Sequence, residues 1–499
     1  MGKRSEMIFG NRMSSQVVKK AENSKERFVR RFGDDSNVDY PLAIVKNPYI
    51  GDTLGVSNIV IDGGAGDDAG TGGREDFDCD NGIIVGNIRM GFGHYRISMA
   101  IASAANHLGY KPYWMDLNSY SETTGGKVIE AQNKLYSLGS SISGKSKAFN
   151  KAVWEPMNYE GFRKLSYNAS DQMNAELMTP IFGNVPKDIP LVATHVWPAQ
   201  AAVHAGMKHV VNAIPDNWPM ALHLAEGSLH TVQTRSAYFG YRTLNGMQGD
   251  DVLKPMPGDS IKYVGHYIDH ELVAAIEEDC DRRIERRKKK APMRFFLTIG
   301  GAGAQKDIFA AIIKTALASV KKGNMVLYIN VGDYMNVWEE LVREIPALER
   351  ESLVTTHFDN WDDTTAFADK ALREEVYGIH AFCHENIYEA VYCTNLLMRS
   401  CDVLITKPSE LAFYPVPKLF IKRVGGHEQW GAIHSAEIGD GTLECRDIPH
   451  TLQMMKLFMQ DDSILVGMCE NIKRNKTDGI YDGAYEVVKL AMKKIFNRV

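Results

Sequence analysis

Residues 82–109, GIIVGNIRMGFGHYRISMAIASAANHLG, constrain the fold more than any other stretch. The run 82–88 is short and apolar, the length of a buried strand. A turn with Gly91, Gly93 and then His94 follows. After it, Ile97, Ile101, Ala104 or Ala105, and Leu108 recur at helical spacing, and Gly109 fits a helix C-cap. Strand, tight turn and helix in that order predict an α/β domain that holds a ligand over a helix N-terminus. Ala100, Ala102, Ser103, Ala104 and Ala105 are small enough to let the helix lie close to a sheet.

At 499 residues the chain exceeds one ordinary core, so two domains are expected. The net charge of -5 argues against a dedicated nucleic-acid binder. The seven cysteines are scattered with no CxxC pair, which fits a reducing compartment and a cytoplasmic location. No stretch of apolar residues reaches the length of a membrane span, and the N-terminus lacks a signal-peptide core. Peripheral contact with the inner face of a membrane stays open.

Residues 1–80 read as an N-terminal extension. Its first 40 residues are polar and charged, and at most partial order is expected there. The acidic, glycine-rich part that follows lacks the ligand spacing of a calcium loop and reads as a loop, not a metal site. From 82 onward, apolar runs and helical patterns alternate, which predicts mostly parallel sheets covered on both faces. Residues 81–270 read as a first domain and 271–293 as a charged linker helix with a solvated basic end. Residues 294–480 read as a second domain and 481–499 as a terminal helix. Residues 359–392 look like an elaboration, polar and partly helical.

The second domain opens like the first, with strand 294–299, a turn of Gly300, Gly301, Ala302 and Gly303, and a helix from Gln305. Glycine suits both turns because the backbone must approach a ligand or take a positive φ. Neither turn is a dinucleotide fingerprint or a P-loop. His94 opens a helix, where the dipole disfavours its charged form and suits it to accept a proton. His195 ends a strand, and Asp216 ends another and could orient a base or a sugar hydroxyl. Trp218 could stack on a sugar face or line the cleft wall. Thr406, Lys407, Ser409 and Glu410 follow a strand, and His427, Glu428 and Gln429 lie in a glycine-containing loop. His427 and Glu428 do not begin a zinc motif, since Gly431 stands where the second histidine is needed. No nucleophile elbow is present, which argues against covalent acyl chemistry.

Taken in order, these landmarks resemble MurG-like glycosyltransferases and the diacylglycerol glycosyltransferases, including monogalactosyldiacylglycerol synthases. The 91–94 turn resembles their acceptor-domain loop, and 299–303 their donor-domain glycine loop. Residues 402–409, DVLITKPS, resemble the donor-site strand and KPG-type turn, and 425–429 the loop that closes on the donor. The resemblance implies a GT-B architecture: two facing Rossmann-like domains, with the last helix crossing back over the first. It implies transfer of a sugar from a nucleoside diphosphate sugar, uridine-linked by analogy, to a hydroxyl acceptor of unknown identity, lipid or otherwise. His94 and Asp216 would then be the base candidates, with Gly91, Gly93, His195 and Trp218 on the acceptor side. Gly300, Gly301, Gly303, Gln305, Thr406, Lys407, Ser409, Glu410, His427, Glu428 and Gln429 would serve the donor. No bound metal or covalent cofactor is implied. Two other readings remain: a nucleotide-sugar 2-epimerase on the same fold, and a non-catalytic protein that binds a sugar or a partner. One departure stands out. Family members carry a ribose-binding glutamate on a helix after the KPG-type turn, whereas here only LAFYPV separates Glu410 from Pro417.

Overall fold

The computed structural model describes residues 4–63, 75–145, 157–299, 305–350 and 352–493. The chain is α/β and divides into two compact units. Unit 1 comprises Met1–His270, Gly425–His427 and Asp482–Val499, and unit 2 comprises Glu271–Val424 and Glu428–Tyr481. Each is Rossmann-like, built on one main sheet with helices packed against it.

Unit 1 opens with a small antiparallel hairpin, Met7–Ile8 against Asn11–Arg12, and then helix α1 (Ser15–Phe32), where the sequence suggests partial order at most. The Ser14 side chain accepts the Val17 N–H and caps the first turn. Ala21 is fully buried, and Phe28, Val29 and Phe32 pack on the main core. This apolar stripe is diluted by charges on the other faces, so composition hides it. Strands β1 (Leu42–Lys46) and β2 (Ser57–Ile61) follow as an antiparallel pair, within a region the sequence presents chiefly as an extension. The glycine- and aspartate-rich residues 64–74, read as a loop, lie outside the described residues.

Then come β3 (Gly82–Asn87), α2 (Gly93–His107), β4 (Lys111–Asp116), α3 (Thr124–Lys145) and α4 (Leu165–Ala175). β5 (Leu191–Ala193), α5 (Val196–His204), β6 (Val210–Ala213), β7 (Leu229–Val232) and β8 (Ile261–Tyr263) complete the sheet. Its order is β8-β7-β6-β5-β3-β4-β2-β1, and only the β1–β2 pair is antiparallel. Ile84 of β3 stands opposite Tyr113 on one side and Leu191 on the other. α2 packs on β3 and β4, and its alanines at 100, 102, 104 and 105 are fully buried. The helix Gly483–Met492 lies against α2 within the same unit.

In unit 2, α6 (Ile276–Lys288) is solvated at its basic end only in part: Lys288, Lys289 and Lys290 are exposed, whereas Arg283, Arg286 and Arg287 are buried. Arg283 donates to the Cys401 and Met398 carbonyls at 2.7 Å each. Arg286 pairs with Glu375 and Asp402, and Arg287 with Asp462. These partners lie far along the chain, so a local pattern could not reveal them. β9 (Met293–Thr298), α7 (Lys306–Lys321), β10 (Met325–Asn330) and β11 (Val354–Phe358) follow.

The stretch 359–392 is not an elaboration. It carries α8 (Trp361–Arg373), β12 (Gly378–Cys383) and the start of α9 (Ile387–Ser400). β12 sits inside the sheet between β10 and β11. Its six residues include His380, which breaks the apolar run that would mark a buried strand. β13 (Val403–Thr406), β14 (Lys418–Phe420) and α10 (Gln429–Glu437) complete the unit's framework. The sheet is all parallel in the order β11-β12-β10-β9-β13-β14.

Candidate functional site

In an open parallel sheet, ligands bind beyond the strand carboxyl ends where the winding direction reverses. In unit 1 that point lies between β3 and β5, because β3 continues to β4 on one side and meets β5 on the other. Gly86 of β3 makes the close packing possible there, since a Cβ at this position would stand 3.0 Å from Pro198 in α5. After β3 the chain turns through Gly91, whose φ of 80° suits glycine, and enters α2 at Gly93.

His94 therefore stands in the first turn of α2 beside the end of β5. Its Nδ1 lies 2.7 Å from the Thr194 carbonyl oxygen. A carbonyl can only accept, so Nδ1 carries the proton in the neutral ring and the lone pair is on Nε2. Thr194 also bridges to Ser98 of α2 through their hydroxyls at 2.8 Å. The His195 ring meets His94 edge-on, with centroids 4.8 Å apart. His195 Nδ1 accepts the Trp197 N–H at 3.2 Å and so caps α5. Burial pushes the His195 imidazole well below its ordinary pKa, and the neighbouring His94 and His223 add to this. Burial thus favours its neutral form.

Asp216 follows β6 and accepts a 2.8 Å hydrogen bond from Nε2 of His223. Its side chain is 34% exposed. Burial acts to raise its pKa. The His223 hydrogen bond and charge, with His427 and His94, outweigh burial and hold the carboxyl below the usual range. The His223 carbonyl is itself held by Asn212 Nδ2 of β6 at 2.6 Å. His223 escapes sequence reasoning because no motif links it to Asp216; only the return of the chain after β6 brings the two together.

His94, His195, Asp216, His223 and His427 line one cavity of about 1320 Å³ in unit 1. The rest of its wall is largely apolar, including Phe28, Met90, Phe162, Met220 and Leu222. Asp171 of α4 also lines it and is a second residue that sequence patterns miss. Only 3% exposed, its carboxyl is pushed up to about 8 by burial, while the Trp197 indole beside it pulls weakly the other way. One wall thus carries a neutral acid and another an ionised carboxylate, the separation of states that acid–base chemistry needs.

Trp218 does not line this cavity. Its ring is stacked on Tyr159 at 4.8 Å, and the Arg163 guanidinium lies 4.4 Å from its centroid. Its surfaces are engaged by protein, which leaves the sugar-stacking expectation without support.

Unit 2 repeats the topology: its winding reverses between β9 and β13. Thr406 ends β13, and Lys407 and Ser409 form the turn beyond, with the Ser409 N–H donating to the Lys407 carbonyl at 2.9 Å. Glu410 opens the short 3-10 turn Glu410–Phe413 in place of the longer helix of the family pattern. Lys407 pairs with Glu428, which also accepts the Val424 N–H at 2.8 Å. Gln429 begins α10. Gln305 has a φ of 71° and its side chain donates to the Lys422 carbonyl. Gly300, Gly301 and Gly303 lie outside the described residues. The expected donor set is therefore divided: His427 belongs to the unit 1 cavity, and the described remainder stays with unit 2. Among the described residues, no three or more His, Cys, Asp or Glu side chains are grouped to hold a metal.

Two family models match. Residues 7–243 match Domain of unknown function (DUF6937), and residues 256–492 match Domain of unknown function (DUF6938). No curated protein matches. Among solved structures, the chain is similar to a UDP-GlcNAc 2-epimerase from Neisseria meningitidis bound to UDP-GlcNAc. Identity is 12%, covering 83% of this chain and 100% of that one, with a TM-score of 0.43. It is also similar to an alpha,alpha-trehalose 6-phosphate synthase from Burkholderia multivorans, at 12% identity over 83% and 98% of the chains and a TM-score of 0.43. A glycosyltransferase from Rickettsia africae shares 12% identity over 84% and 97%, with a TM-score of 0.39.

Proposed function

We propose that this protein is a GT-B-type enzyme that moves a sugar from a nucleoside diphosphate sugar to an acceptor hydroxyl. The observation that carries the reading is the His94–Thr194 hydrogen bond at the unit 1 switch point. It leaves Nε2 of His94 as the basic nitrogen in a cavity that also holds the ionised Asp216.

In this reading Nε2 of His94 takes the proton of the acceptor hydroxyl as its oxygen attacks the anomeric carbon. The bond from that carbon to the phosphate oxygen breaks, and the diphosphate leaves with the electron pair. The switch point of unit 2 is the reading's donor site, with Thr406, Lys407, Ser409 and Glu410 as its described polar groups. Lys407 would meet the growing negative charge of the diphosphate as a point charge. Asp216 and His223 act as a fixed pair that orients the acceptor or stabilises the His94 imidazolium formed in the step.

A 2-epimerase is the second reading, favoured by the coexistence of the neutral Asp171 and the ionised Asp216 in one cavity. A thermal-shift screen against nucleoside diphosphates and their sugars identifies the donor. Turnover is then followed with and without added acceptors. His94→Ala is expected to lower kcat by about a hundredfold or more with little change in melting temperature. Unchanged kcat would remove His94 as the base. Turnover of the nucleotide sugar to a sugar epimer with no acceptor present would favour the epimerase.

A further inference from the structure

The cavity of unit 1 has two features that the proton-transfer machinery leaves unused. The first is a row of cations. Val17, Lys20, Ser24, Arg27, Phe28 and Arg31 of α1 all line it, and their spacing places them on one helix face. Among the described residues, no carboxylate pairs with Lys20, Arg27 or Arg31, although Arg31 lies over the Phe32 ring. Three exposed cations along the lining of a largely apolar cavity form a positive edge that an anion bound there would neutralise.

The second feature is a set of buried polar atoms short of partners. Asp171 Oδ2 and Asn174 Oδ1 have no well-aligned partner, and the Trp197 indole N–H has only the Asp171 carboxyl beside it. Their residues are 3%, 5% and 4% exposed, and all three line the cavity. Asp171 and Asn174 are one turn apart on α4, and Asn174 Nδ2 reaches Ser24 of α1 at 3.4 Å. An orphaned buried polar atom costs about 1–3 kcal/mol, and the two unmatched oxygens of Asp171 and Asn174 mark a place where a ligand supplies the partners.

We propose that this cavity binds an acceptor with an acidic group, phosphate or carboxylate, on an apolar body. The acidic group meets Lys20, Arg27 and Arg31, and a hydroxyl or amide of the ligand meets Asp171 and Asn174. Guanidinium groups match either anion in bidentate geometry. The neutral Asp171 can donate and the Asn174 carbonyl can accept. The word acceptor rests on the glycosyl-transfer reading; the binding claim does not, and it is tested without donor or turnover.

The test is calorimetric titration of the full chain with four probes. Dodecyl phosphate and phenyl phosphate carry the acidic group on a long and a compact apolar body. Dodecyl maltoside is a neutral amphiphile, and inorganic phosphate is the anion alone. At least one organophosphate is expected to bind about tenfold or more tightly than both controls. Tight dodecyl phosphate with weak phenyl phosphate identifies a lipid-like ligand, and the reverse a soluble one. Lys20→Glu/Arg27→Glu changes exposed positions and is expected to weaken that binding about tenfold or more. Asp171→Asn keeps a neutral hydrogen-bonding group and is expected to stay within about threefold, whereas Asp171→Leu loses more. Equal binding of the neutral amphiphile, or unchanged binding by the double charge reversal, would overturn the proposal. Loss of transfer activity with organophosphate binding intact would count against the reaction alone.

Discussion

Asp171 ties the chemistry of the cavity to the stability of the fold. Its carboxyl is raised to about 8 by burial, against about 4 in an unfolded chain. Between those values the folded protein keeps the proton and the unfolded chain releases it. Stability therefore falls as pH rises through the window, by up to about 1.4 kcal/mol per pH unit, and levels off above it. Asp171→Asn carries no such proton. Its melting temperature is expected to exceed that of the native protein by a margin that widens from about pH 4 to about pH 8. A margin that does not change with pH would mean that Asp171 is ionised in the fold. At this scale the sequence is legible in part. His94, His195, Asp216 and His427 stand out because they follow glycine turns or end apolar runs, and the fold sets all four on one cavity. Asp171, His223 and the α1 cations do not stand out. Their importance comes from burial and from neighbours distant in the chain.

Elements were legible where period and punctuation agreed. The strand, turn and helix at residues 82–109 carry both signals, and β3 and α2 lie there. α1 and β12 failed for opposite reasons. Charges around α1 mask a narrow apolar stripe, and β12 carries a histidine and follows a strongly charged helix. Gly378, the first residue of β12, tests how tightly that strand is held. Its φ is 91°, and a Cβ there would lie 2.4 Å from the Leu353 carbonyl oxygen. Gly378→Ala is expected to destabilise the protein by more than about 1 kcal/mol, read as a lower urea midpoint. A neutral result would mean that the β11–β12 edge shifts freely to make room.

For the whole molecule, sequence periodicity foretells two α/β units but not the ionic groups locked inside the second. Lys418 and Asp440, both fully buried, lie 2.8 Å apart. The Lys418 ammonium also donates to the Tyr414 carbonyl at 2.6 Å, and Tyr481 donates to Asp440 at 2.8 Å. Burial lowers the Lys418 pKa, so the amine remains charged in the fold only through these partners. Asp440→Ala strands that cation and is expected to cost about 3–5 kcal/mol. Hydrogen exchange should show the loss across unit 2. The Lys418→Met/Asp440→Leu pair should recover much of the loss, because two apolar groups need no partners. Failure to recover would mean that the pair also organises the surrounding hydrogen bonds.

Unit 1 claims both the earliest and some of the latest residues of the chain, with the helix Gly483–Met492 seated on α2. On a ribosome the amino-terminal half is therefore made first yet must wait for its last piece, while the unit encoded between them can finish sooner. Until translation reaches residue 492, α2 lacks that neighbour, and nascent chains stalled short of that point should be the ones chaperones hold.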